Sequence, residues 1–117
     1  MIRLLLLLVF LLPTDAYAVD LDAIRAAAEA GNVSAMTTLG GLYHRGVGVQ
    51  QDDVEATKWF LMAAERCHAG AQTIMGMVFL QGGEDGKARY WLRRAATQGD
   101  HTAQRQLDLL KLKPSEE

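Results

Sequence analysis

Apolar residues recur along this chain at helical spacing. Ala56, Trp59, Phe60, Ala63 and Ala64 stand at i, i+3, i+4, i+7 and i+8, which puts all five on one stripe of a 3.6-residue helix. Ala88, Trp91, Leu92, Ala95 and Ala96 repeat that spacing. No proline occurs between Pro13 and Pro114, and the breaks in the apolar pattern coincide with glycine. Gly31-Asn32 and Gly99-Asp100 each read as a glycine closing one helix, followed at once by the N-cap of the next. The pattern predicts an all-α chain with helices over residues 20–30, 33–45, 52–66, 69–81, 84–98 and 101–112.

The helices form a repeat. Ala27-Ala28, Ala63-Ala64 and Ala95-Ala96 each precede a further alanine (Ala35, Ala71, Ala103) and then an apolar residue (Leu39, Met75, Leu107) at the same spacing. The offsets are 36 and 32 residues, and the loop after Tyr43 is longer than the loop after Phe79 by that difference. A period in this range made of two helical blocks means a solenoid of antiparallel helix pairs. In such a stack Gly40 and Gly76 let a partner helix approach closely. Trp59 and Trp91 supply the bulk between layers. Gly46 and Gly48 allow the positive φ angles of a tight loop.

The order Ala35, Leu39, Gly40, Tyr43, Gly46, Gly48, Val49, Asp52, Ala56, Trp59, Ala63 and Ala64 resembles the Sel-1-like repeat, a relative of the tetratricopeptide repeat. The second unit keeps Ala71, Met75, Gly76, Phe79, Ala88, Trp91, Ala95, Ala96 and Gly99 but lacks the glycine loop. A half unit, with Ala103 and Leu107, closes the chain. The resemblance implies a right-handed superhelix used as a protein-interaction surface. It implies no shared catalytic chemistry, because a repeat fold is a scaffold on which sites are grafted.

Composition adds a leader and removes several functions. Residues 1–18 combine a basic start at Arg3, an apolar run over 4–12 and an Ala16-Tyr17-Ala18 end. These are the parts of a secretory signal cleaved after Ala18, and the apolar run is too short to span a bilayer. The expected organisation is a signal at 1–18, a repeat domain at 19–112 and a polar tail at 113–117, in a periplasmic or secreted protein with no membrane segment after cleavage. Fifteen of the residues after the leader are alanine, so the core buries little area per residue. The formal net charge is −2, and no segment carries a basic stripe, so nucleic acid is not an expected partner. A lone Cys67 cannot form an internal disulfide. It stands where sister units have Gly31 and Gly99, as a partly buried thiol or as one half of an intermolecular disulfide.

Candidate chemistry is sparse. His44, His68, His101 and Cys67 lack the spacing of a metal-ligand set. Ser34 and Ser115 lie in no nucleophile motif. No catalytic residue, cofactor or metal ligand is expected, and a small hydrolase ranks below both binding readings. The remaining signal is the face opposite Ala35, Leu39, Leu42 and Tyr43. It carries Thr37, Gly41, His44 and Arg45, then Thr73, Ile74, Met77, Leu80 and Gln81, then Arg105, Gln106, Leu109 and Lys113. Of these, Thr37, His44, Arg45, Thr73, Ile74, Met77, Leu80, Arg105 and Leu109 are the candidate partner-binding residues. Ile74, Met77 and Leu80 are apolar on a nominally exposed concave face, which marks a ligand groove unless the curl of a short solenoid or a second copy covers them. The expected function is protein–protein interaction, with a peptide or protein partner held on that face. The alternative is a non-catalytic regulator of an envelope or cell-wall enzyme. The final helix has no following helix to cover Leu107, Leu109, Leu110 and Leu112, so a homodimer through this end is a further expectation.

Overall fold

The computed structural model describes residues 19–113; the expected leader and residues 114–117 of the expected tail lie outside the described residues. Within that span six helices follow one another: α1 (Leu21–Glu29), α2 (Val33–Arg45), α3 (Asp53–Glu65), α4 (Ala69–Gln81), α5 (Asp85–Thr97) and α6 (His101–Lys111). Every boundary falls within one residue of the expected one, and no strand occurs among the described residues. The chain is an all-α solenoid.

Local chemistry sets the boundaries. Asp20, Asn32, Asp52 and Asp100 each accept a backbone N–H from the first turn of the following helix, at 2.9–3.0 Å. His68 does the same with an imidazole: its Nδ1 accepts from the Ala71 N–H at 3.1 Å. At the other ends, Asn32, His68 and Asp100 return their own N–H groups to Ala27, Ala63 and Ala95, closing each helix with a left-handed residue just before the cap. Each of these residues thus serves the end of one helix and the start of the next, so consecutive helices need almost no linker.

Packing is between neighbours. Each helix contacts the ones before and after it, and α4 also touches α6. One core cluster is built on Met36, Leu39, Phe60 and Met75 with small alanines between them, and a second on Ala88, Leu92, Ala103 and Leu110. Gly40 lies so close to Phe60 that a Cβ there would sit 2.8 Å from the ring. A Cβ on Gly76 would sit 2.5 Å from Leu92 Cγ. The expected close approach is present, but the large residues that fill it are Phe60 and Leu92 rather than the tryptophans. Trp91 is buried beside them, while Trp59 is only half-buried.

The last helix corrects the picture of four uncovered leucines. Leu110 is buried and Leu107 half-buried, both against α5. Leu109 and Leu112 stay exposed at 53% and 80%. The slot held by Gly40 in α2 and Gly76 in α4 is occupied in α6 by Asp108. Its carboxylate accepts from Lys111 Nζ at 3.2 Å and Gln104 Nε2 at 3.1 Å, and those bonds hold Asp108 below the usual carboxylate range. At the equivalent glycines α3 and α5 close in; Asp108 fills that space with its own side chain. Asp108 thus puts a charged residue where the two repeats have glycine, beside the exposed Leu109 and Leu112.

One buried polar group crosses the junction between the units. Gln72 is 1% exposed; its Nε2 donates to the Ala64 carbonyl of α3 at 3.1 Å, and its Oε1 accepts from Gln98 Nε2 at 2.8 Å. Met36 holds the corresponding place in α2.

Gly76→Ala should lower unfolding free energy by about 1–3 kcal/mol, the usual cost of forcing a methyl group into a packed site. Gly86→Ala, where nothing lies within 4 Å, should instead raise it by about 0.4–1 kcal/mol. Urea unfolding followed by circular dichroism separates the two; equal effects would refute the close-packed seam.

Candidate functional site

Three helices enclose a groove of about 330 Å³. Its floor is Ala56 and Phe60 of α3 with Val78 of α4, its wall is Ile74 and Met77, and its rim is His44, Asp53, Thr57 and Gln81. Helical spacing explains the assembly. Asp53, Ala56, Thr57 and Phe60 lie on one face of α3, and Ile74, Met77, Val78 and Gln81 on one face of α4. His44 ends α2 and leans across to α3, where its Nδ1 donates to Asp53 Oδ1 at 2.8 Å. Gln51 Nε2 donates to the same oxygen at 3.1 Å. Both members of the His44–Asp53 pair are 65% exposed, so the pair is worth little to stability. Thr57 spends its hydroxyl proton on the Asp53 backbone carbonyl at 2.8 Å.

Of the nine candidate partner-binding residues, the groove gathers His44, Ile74 and Met77. Thr37 is half-buried and donates to the Val33 carbonyl. Arg45 is exposed but turns back onto the Gly41 carbonyl at 3.3 Å. Arg105 and Leu109 are exposed on α6, outside this groove. Two assignments are corrected. Thr73 is buried, 6% exposed, with its hydroxyl on the Ala69 carbonyl, and presents no open surface. Leu80 is half-buried against the second core cluster, because α5 packs beneath it. The α3 contribution was missed: Ala56 and Phe60 carry an unmistakable core pattern, and the pattern gives no hint that one edge of that core is open.

The arrangement offers an apolar slot with hydrogen-bonding groups at its mouth. That suits an apolar side chain whose backbone or neighbour is polar. Among the described residues no three His, Cys, Asp or Glu side chains converge into a metal-binding group. The three histidines are spread out, at the groove rim, at the N-cap of α4 and at the start of α6.

Cys67 is exposed, not partly buried. Its φ is 65°, in the left-handed region that Gly31 (97°) and Gly99 (92°) occupy at the sister junctions. Arg94 Nη2 approaches Sγ at 3.7 Å while its guanidinium lies over the rings of Tyr90 and Trp91. Cys67→Gly should raise unfolding free energy by about 1 kcal/mol, since the side chain in this conformation costs that much and loses no buried contact. Thermal melting under reducing conditions checks it, and a lower melting temperature would show that the Arg94 contact outweighs the strain.

Comparison with known proteins agrees with this architecture. A family model described as Sel1 repeat matches residues 33–66 and 69–100, which are the α2–α3 and α4–α5 pairs with their closing turns. Among solved structures, a Sel1 repeat protein from Oxalobacter formigenes is similar at 36% identity and a TM-score of 0.63, over 67% of this chain and 63% of that one. The chain thus spans less than two thirds of that relative's length. No curated protein matches the chain.

Proposed function

The chain belongs to the Sel1 repeat family, whose repeats generally serve as protein–protein interaction modules, and from that premise we propose that it holds a peptide or protein partner on the face shared by α2, α4 and α6. The observation that carries this reading is the open apolar groove. Met77 is 40% exposed on its wall, directly above Phe60, where a monomer's core would ordinarily be closed. Leu109 continues the stripe, standing in α6 where Met77 stands in α4. On this reading the protein is a scaffold without a chemical step of its own. It acts in the periplasm or outside the cell, an assignment supported by the leader pattern of residues 1–18. No described helix is long and apolar enough to cross a membrane.

The full chain, expressed with a C-terminal tag in a bacterium and recovered from its periplasm, should begin at Val19. As bait in an envelope extract it should retain a partner that Met77→Asp retains about ten-fold less well, the loss typical of a central apolar anchor. An uncleaved chain in that fraction would overturn the cleavage after Ala18, and retention of the chain in the cytoplasm would overturn export. Equal partner recovery by wild type, Met77→Asp and Leu109→Asp would overturn the face.

A second copy is the other occupant that exposed Leu109 and Leu112 allow. It would pair through the α6 end, where both leucines stand exposed. Light scattering over a dilution series, with Leu109→Lys as the control, should then show a dimer that the substitution dissociates; a monomer throughout excludes it.

A further inference from the structure

The two repeats carry the same groove in two states. Matching α2, α3 and α4 to α4, α5 and α6 places Leu80 at the position of His44, Asp85 at that of Asp53, and Lys113 at that of Gln81. The floor matches as well: Ala88, Leu92 and Leu110 stand where Ala56, Phe60 and Val78 do. In the second unit the space is filled from within. Leu80 packs against the core cluster that contains Ala88, Leu92 and Leu110, and Lys113 Nζ reaches Asp85 Oδ2 at 3.5 Å across the mouth. In the first unit neither filling group exists. His44 stands out over Asp53 instead of lying on the floor, and Gln81 brings no charge to that carboxylate.

We propose that the first-unit groove receives a protein segment presenting an aliphatic side chain beside a lysine or arginine, the two groups that the second unit supplies to itself. The proposal rests on the interaction reading above and names the chemistry of what is bound. The aliphatic side chain would take the place of Leu80 on Ala56, Phe60 and Val78, where its burial is favourable. The cation would meet Asp53 as Lys113 meets Asp85. The charges agree: Asp52, Asp53 and Glu55 stand together at the start of α3, and Lys58 is drawn to Glu55 rather than to Asp53.

Synthetic probes test it. Acetylated alanine-based hexapeptides carrying one Leu and one Lys, one to four positions apart, are titrated into the isotope-labelled full chain and followed by amide chemical shifts. The best of them should move the amides around Phe60 and Met77, and should bind about three-fold or more tightly than its Lys→Glu counterpart, as a partly exposed ion pair allows. Asp53→Asn, an exposed position that leaves the Asp52 cap in place, should abolish that preference. The double variant H44L/Q81K copies the second unit; it should raise the melting temperature and lose the peptide. Equal binding of Lys and Glu peptides, or no shifts from any of them, overturns the proposal. A natural partner that binds wild type and H44L/Q81K alike also overturns it while leaving the interaction reading intact.

Discussion

Everything in this fold depends on how near α2 can come to α3, and α4 to α5. Alanine-rich helices expose little apolar area each, so they gain burial only if their backbones lie close. Glycine at positions 40 and 76 permits that approach, and Phe60 and Leu92 then occupy the space a Cβ would have taken. The same approach brings Ala56 and Ala88 to complete burial. The groove follows from it too, because drawing α3 up against α2 leaves Phe60 as a floor between α2 and α4.

The helices and their limits were legible because each limit is a local event. A cap residue, a left-handed residue before it and an apolar stripe lie within a few positions of one another, so no distant contact is needed to place them. Repetition strengthened the reading, since Asn32 and Asp100 announce the same junction. His68 fills that role with an imidazole nitrogen as the acceptor, and a histidine beside a cysteine invites a metal interpretation before a structural one.

The site was legible only in part, for a different reason. A helical register assigns faces to one helix at a time, whereas the groove is bounded by three. Met77 and Ile74 were found because they are apolar on the outer arc of α4. Thr73 lies one position away, yet it is sealed under its neighbours. Leu80 belonged to the same arc but is claimed by α5, and nothing in α4 alone distinguishes it from Met77. The more informative signal lay between repeats rather than within them: a leucine and a lysine in one unit answered by a histidine and a glutamine in the other.

Gln72 gives the array a property beyond shape. In a linear stack, stability is close to a sum of unit and nearest-neighbour interface energies, and units can unfold one by one from an end. Here the amide of Gln72 is desolvated and ties the end of α3 to the close of α5. Gln72 and Gln98 both belong to the second unit, so peeling that unit away breaks the Gln72 bond that crosses the junction, to the Ala64 carbonyl, at a net cost of about 0.5–1.5 kcal/mol. Frayed half-folded states are thereby raised in energy relative to the native chain. Two thin repeats are thus coupled by a directional bond as well as by the apolar contact between α3 and α4.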